Sequence, residues 1–230
     1  MNDIDGNGLN NNELFPARVF VLIPEESDEA IVIRRGPAEC VGIFSWNLKS
    51  NEVKGHQWLK GRVYEYFSDV SSNGKYFFYS ANKKGEGYTV ISHSPWLKAI
   101  SFWNNVGGWG GGVFVGNSSY MLHDGFEAYS EFVSKKLVST SRDNELLKHG
   151  VYPARLMRHG WKVKEREKYT TTFTKHLSND WVLEKVWNRS INNQAKGKGQ
   201  FWEMHRFVGG STVIEKVGWE WCEYINNDLM

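Results

Sequence analysis

The sequence lacks the features that would indicate export or a membrane. Its two cysteines, Cys40 and Cys222, lie near opposite ends of 230 residues, and isolated cysteines are more typical of buried free thiols than of a disulfide. No apolar run approaches the roughly 20 residues of a membrane helix. The first residues contain no basic region followed by an apolar core. We therefore expect a soluble, cytoplasmic protein with two free thiols.

A large excess of one charge is also absent. Lys and Arg number 28 against 26 Asp and Glu, which leaves a net charge of +2 with both signs interspersed along the chain. Such a balance produces no field strong enough to attract nucleic acid or an anionic membrane. The expected partner is an unknown protein or a small ligand, with no nucleic acid and no membrane.

Motifs for the common chemistries are missing as well. The chain has no Gly-x-Ser-x-Gly, no His-Glu-x-x-His, no Cys-x-x-Cys and no phosphate loop, and its seven histidines show no ligand spacing. No catalytic residue and no cofactor is expected. One weak metal candidate remains, because Asp3, Asp5 and Asn7 are spaced like the first ligands of a calcium loop. The required last glutamate is displaced by one position, to Glu13.

The start of the chain has little to bury. Residues 1–14 are rich in Asn and Gly, which predicts a disordered tail. A chain of this length with all-β character is commonly one domain. We therefore predict a single domain over residues 15–230.

Aromatic residues are abundant, with 11 Trp, 10 Tyr and 13 Phe. The central stretch from Asp69 to Leu122 alternates short runs of aromatic and β-branched residues with turns of Gly, Asn and Pro, the pattern of antiparallel strands. Asn73-Gly74 suits a two-residue hairpin turn with positive φ at both positions. The sequence therefore predicts an all-β fold built as an antiparallel meander.

The residues from Val70 to Ser80 carry a resemblance. The run Val-Ser-Ser-Asn-Gly-Lys-Tyr-Phe-Phe-Tyr-Ser resembles the Leu-Ser-Pro-Asp-Gly-Lys-x-Ile-x-Phe motif of TolB-type, WD-like β-propeller blades, with Ser72 at the proline position and Asn73 at the aspartate position. The chain is also similar to small bacterial proteins of unassigned function. The first resemblance implies a propeller-like array of short blades, and a β-sandwich or barrel is the alternative.

The remaining segments give more local predictions. Residues 49–61 are polar and predict a long loop, whereas Phe126, Tyr129, Phe132 and Val133 have the spacing of a short amphipathic helix, with a strand over 133–140 as the alternative. Residues 151–163 predict a hairpin that turns at His159-Gly160. Gly209-Gly210 predicts a second hairpin. The chain ends like an incomplete blade, which the strand over 18–23 is expected to complete.

Two function classes stay open. A non-catalytic binding or protein-interaction module would use the loop of Gly108, Trp109 and Gly110, where a large ring between glycines can present its face, or the loop of His93 and Trp96. A seven-residue strand separates these loops by roughly 20 Å. The alternative is a glycan-recognising protein or hydrolase with two acids among Glu184, Glu203 and Glu220, roughly 5 to 9 Å apart in a Trp-lined cleft.

Overall fold

The structure is a computed structural model that describes most of the chain. The described residues are 17–36, 40–105, 110–123, 128–140, 145–178, 180–189, 201–225 and 227–230. The predicted tail, the calcium-loop residues Asp3, Asp5 and Asn7, and the loop residues Gly108 and Trp109 lie outside these ranges.

The first sheet is a four-stranded antiparallel meander in sequence order. Its strands are β1 (Arg18–Leu22), β2 (Glu29–Arg35), β3 (Cys40–Asn47) and β4 (Val53–Lys60). The loop predicted over 49–61 is wrong, because β4 pairs with β3 from Val53 to Lys60. This strand lies at the sheet edge with most of its residues exposed or half-exposed, so its sequence needs few apolar residues.

The second sheet has five antiparallel strands. They are β5 (Arg62–Val70), β6 (Tyr76–Lys83), β7 (Glu86–His93), β8 (Ala99–Asn105) and β11 (Ala128–Phe132), in the order β11-β8-β7-β6-β5. The predicted hairpin between β5 and β6 is confirmed. Its turn differs in detail, since only Gly74 has positive φ, at 72°, while the Asn73 side chain accepts bonds from the Ser71 hydroxyl and the Lys75 amide.

The third sheet is small and covers one face of the second sheet. It contains β9 (Gly112–Phe114), β10 (Ser119–Leu122) and β12 (Val138–Ser139), and β12 runs parallel to β10. The helix predicted from the spacing of Phe126, Tyr129, Phe132 and Val133 is wrong where the structure describes it, because β11 pairs with β8 there. Of the alternative strand over 133–140, two residues form β12.

The predicted hairpin over 151–163 is also wrong, because Val151–Arg158 forms helix α1. Pro153 is tolerated in the first turn, where backbone N–H groups have no helical partner. Gly160 has φ 81°, and the bonds from Gly160 N to Met157 O and from Trp161 N to Leu156 O close the helix. A left-handed glycine is the usual helix terminator, so His159-Gly160 ends a helix instead of turning a hairpin.

The fourth sheet is a five-stranded antiparallel meander, followed by a short C-terminal hairpin. The sheet contains β13 (Lys162–Arg166), β14 (Thr170–His176), β15 (Val182–Asn188), β16 (Trp202–Gly209) and β17 (Thr212–Lys216), and the hairpin contains β18 (Tyr224–Ile225) and β19 (Asp228–Leu229). The predicted turn at Gly209-Gly210 is confirmed by the pairing of Gly209 with Thr212.

The N-terminal strand does not complete a C-terminal blade in the described residues. Strand β1 pairs with β2, and β18 pairs with β19, so this prediction is wrong. Side-chain contacts connect the N-terminal strand to the C-terminal segment instead. Arg18 forms an ion pair with Glu220 at 2.8 Å, and Ile23 packs in a small cluster with Trp221 and Ile225.

The all-β, antiparallel prediction is confirmed. The second and third sheets pack face to face, with Phe78 and Trp103 against Phe114 and Tyr120. Such layering is typical of sandwiches, and no sheet of the described residues closes on itself. The propeller-like arrangement is not confirmed. Within the described ranges, no helix has the length and apolar character to cross a bilayer.

Candidate functional site

A groove with an aromatic floor lies between strand β4 and one face of the second sheet. Its volume is about 550 Å³, within the roughly 300–1,000 Å³ typical of small-molecule sites. Leu59 of β4 and Leu97, just before β8, form its walls. The floor comes from β6, β7 and β8 and consists of Tyr79, Tyr88, Val90, Ala99 and Phe102. We call this surface the aromatic groove.

The alternation of side chains along a strand explains why these residues share one face. Tyr79 pairs with Val90, and Val90 pairs with Phe102, across three neighbouring strands. Their sequence neighbours Phe78, Ile91 and Trp103 point the other way and are buried under the third sheet. The groove is therefore the part of the opposite face that the first sheet leaves open.

Three rings on this face form a ladder that reaches the edge of the sheet. The ring centroids of Tyr88 and Phe102 are 5.5 Å apart at 15°, and those of Phe102 and Phe132 are 6.1 Å apart at 22°. Phe132 lies on the edge strand β11 and is 48% exposed. The nearly parallel rings present a continuous apolar surface from the groove floor to solvent.

Polar groups lie within and around this apolar surface. The Tyr79 hydroxyl donates to the Leu97 carbonyl at 2.7 Å, and the Leu97 amide donates to the Gln57 side chain at 2.6 Å, so the wall at Leu97 is tied to both sheets. Burial raises the pKa of the Tyr79 and Tyr88 phenols, which keeps both neutral. Asn104 donates to Glu131 beside the ring ladder.

The tip of the β6–β7 hairpin forms one end of the groove and carries charge. Lys83 and Lys84 line this end together with Glu86, and all three are exposed. The β4–β5 turn packs directly behind it, since a Cβ built on Gly61 would lie 3.6 Å from the Lys83 Cβ. Lys60 and Arg62 flank that glycine without lining the groove, so this end of the groove holds two cations, Lys83 and Lys84, and one carboxylate.

The structure places the loop of His93 and Trp96 beside the groove wall. Trp96 is 46% exposed and meets the His56 ring edge-on at 5.1 Å. His93 is exposed and lies over Tyr76 at 5.3 Å, on the face opposite the groove. Neither residue lines the groove itself.

The described part of the glycine loop lies on the opposite face of the second sheet. The Gly111 amide donates to the Thr89 hydroxyl at 2.9 Å, and Thr89 alternates with the groove residues Tyr88 and Val90. Gly110 is buried with φ 59°. The structure therefore does not bring Gly110 and Trp96 into one site. Gly108 and Trp109 lie outside the described residues.

The three carboxylates considered for sugar chemistry are not gathered in one cleft. Glu184 bonds Lys164 and Arg206, each at 2.6 Å, on the outer face of the fourth sheet, and Glu220 pairs with Arg18. Burial alone would raise the pKa of Glu184, but hydrogen bonds from Lys164 and Arg206 lower it. A general acid needs a raised pKa, so Glu184 does not fit that role.

Glu203 belongs to a closed network in the core. It accepts from Tyr152 at 2.6 Å and contacts His205 at 2.9 Å and Lys185 at 3.8 Å. Burial would raise its pKa, but the Lys185 charge and the His205 and Tyr152 hydrogen bonds lower it to about 2. The neighbouring cavity of about 20 Å³ holds roughly one water. The network therefore stabilises the core.

A larger open groove of about 690 Å³ has opposed charges on its walls. Its acidic side is the turn with Glu25 and Asp28, and its basic side holds Arg158 and Lys175. These two cations already pair with Asp69 at 2.6 Å and with Glu223 at 2.9 Å. This groove therefore offers a ligand fewer unpaired charges than the aromatic groove does.

The sequence interpretation missed the groove residues Tyr88, Phe102, Lys83 and Lys84. Their strands were predicted, but a strand pattern does not tell which face another sheet will cover. The signal present in the sequence was the Lys-Lys-Gly hairpin tip between two aromatic strands.

Compared with protein-family models, curated proteins and solved structures, the chain has no significant match in any of the three. No group of His, Cys, Asp and Glu in the described ranges is arranged to hold a metal ion. The geometry of the aromatic groove is thus the basis for a functional proposal.

Proposed function

We propose that the chain is a non-catalytic binding module that takes up a saccharide in the aromatic groove. The observation that carries the proposal is the ladder of Tyr88, Phe102 and Phe132, whose stacked rings form one apolar surface that ends at the exposed Phe132. Sugar rings have apolar C–H faces that pack on aromatic side chains, and aromatic contacts of this kind are directional.

The polar rim supports the same ligand class. A saccharide carries hydroxyl groups around its apolar faces, and these require donors and acceptors at the border of the apolar floor. Lys83, Glu86 and Asn104 supply them at the groove border. A purely apolar ligand would leave these groups without a role.

The arrangement of the acids favours binding over hydrolysis. Glu184, Glu203 and Glu220 lie away from the groove and are held in ion pairs. Glycoside hydrolysis requires two acids across the scissile bond, one of them with a raised pKa. The hydrolase alternative therefore has less support than the binding module. The propeller-like array of blades stays a prediction.

The test is calorimetric titration with a panel of soluble neutral and acidic oligosaccharides. Phe132→Leu keeps an apolar side chain on the exposed edge strand but removes the ring, so we expect about tenfold weaker binding, equivalent to about 1.4 kcal/mol. Tyr169→Leu is the matched control, because that ring is 45% exposed and does not line the groove. The proposal is wrong if no saccharide binds, or if both variants weaken binding equally.

A further inference from the structure

The charge at one end of the aromatic groove indicates which type of saccharide the groove binds. Resting on the proposed function, we infer that the groove selects an acidic saccharide and places its carboxylate against the Lys83–Lys84 hairpin tip. Two cations, Lys83 and Lys84, line that end together with the single carboxylate of Glu86.

These cations are available to a ligand. Neither Lys83 nor Lys84 forms an ion pair with another described residue. Glu86 is directly opposite Lys83 in the strand register, which leaves Lys84 without an acidic neighbour in that pairing. Lys49, by contrast, is paired with Asp28 at 2.7 Å.

The hairpin tip is also held in place by the structure behind it. A Cβ built on Gly61 would lie 2.7 Å from the Asn82 carbonyl oxygen, so the β4–β5 turn and strand β6 are in direct backbone contact. Arg62 pairs across the sheet with Asn82. The backbone that carries Lys83 is thus held relative to the rings, and a preorganised backbone loses less entropy on binding.

The position of the charge separates an acidic saccharide from a nucleic acid. The cations Lys83 and Lys84 lie together at the hairpin tip, whereas the groove floor is apolar. A single-stranded nucleic acid needs cations along the path of its backbone. An acidic saccharide has one anionic group beside a sugar ring, which matches cations at the hairpin tip beside an aromatic floor.

The probes for the test are trisaccharides of galacturonate, glucuronate and mannuronate, each compared with its own methyl ester. Esterification removes the charge and leaves the rings unchanged. We expect at least one acid to bind more tightly than its ester, with affinity that falls as salt rises. In the double variant Lys83→Gln/Lys84→Gln, binding of the acid should be roughly tenfold weaker, the loss typical of a hydrogen bond to a charged group.

The matched control is Lys135→Gln/Lys136→Gln, two adjacent exposed lysines in another tight turn. This control should bind like the original protein. Equal affinity for acid and ester, or binding of neutral oligosaccharides alone, overturns the acidic preference and leaves the saccharide proposal standing. No binding to any saccharide overturns both. Tighter binding of a short oligothymidylate than of every saccharide would also overturn both, in favour of a nucleic-acid ligand.

Discussion

Arg158 at the end of helix α1 donates two parallel hydrogen bonds to Asp69 of strand β5, from Nη2 to Oδ1 at 2.6 Å and from Nη1 to Oδ2 at 2.8 Å. The same carboxylate accepts the Phe114 backbone amide at 2.7 Å. One buried side chain thus joins the helix, the second sheet and the third sheet. Two-point recognition of this kind requires the planar guanidinium.

Removing this arginine should strongly destabilise the protein. The Asp69 side chain is 0% exposed, and an unpaired buried charge typically costs about 3–5 kcal/mol. We therefore expect Arg158→Ala to lower the free energy of unfolding in urea by about that amount. Arg158→Lys should recover only part of the loss, because an ammonium cannot make both contacts.

The control for this prediction is Lys148→Ala, which removes an ion pair with Glu145 on the exposed surface. Pairs of this type contribute roughly 0–1 kcal/mol. Equal losses of unfolding free energy in Arg158→Ala and Lys148→Ala would show that the Arg158–Asp69 contact stabilises the fold no more than a surface ion pair does.

Gly112→Ala should disrupt the packing of the third sheet on the second. A Cβ at this position would collide with the Met121 carbonyl oxygen and the Phe78 ring, and backbone atoms cannot move aside as a flexible side chain can. We expect a clear fall in melting temperature. Gly116→Ala is the control, because a Cβ there meets nothing within 4 Å. Similar melting temperatures for the two variants would contradict the packing assigned to the glycine run.

Acid should destabilise the fold partly through Glu203. Its pKa is lowered from 4.5 to about 2, so the folded state favours the ionised form more than the unfolded state does. The resulting stabilisation, on the order of 3 kcal/mol, is present above pH 4.5 and is lost as the pH falls toward 2.

The variant Glu203→Gln should therefore be less stable at neutral pH, and its unfolding free energy should depend less on pH between 4.5 and 2. Stability measured by urea unfolding across this range checks the prediction. An unchanged slope in the variant would show that other groups carry the acid sensitivity.

The two thiols should differ in reactivity. Cys40 and Cys222 are both free, but Cys222 is buried, and burial raises its pKa to about 12. Since the thiolate is the reactive form, we expect an aromatic disulfide reagent to modify Cys40 alone in the native protein and both cysteines in denaturant. Rapid native modification of two thiols, or of none in denaturant, would refute this.

Some elements follow from the sequence because their determinants are local. The strands from β5 to β10 were predictable from runs of aromatic and β-branched residues between turn residues, and Gly209-Gly210 sets its own hairpin. Prediction from local patterns failed where the structure of a segment depends on a neighbouring element. Strand β4 is polar and forms because β3 provides backbone hydrogen-bond partners for it. His159-Gly160 suits a hairpin turn as well as a helix end.

By itself, the sequence determined an antiparallel all-β chain with two free thiols and many aromatic residues. It could not determine which aromatic residues are buried, because alternation divides a strand into two faces without saying which face another sheet will cover. Only the tertiary structure put Trp103 under the third sheet and left Phe102 in an open groove. It also placed Gly61 of the β4–β5 turn against Lys83, since contacts between distant segments depend on how the sheets pack and not on any local pattern.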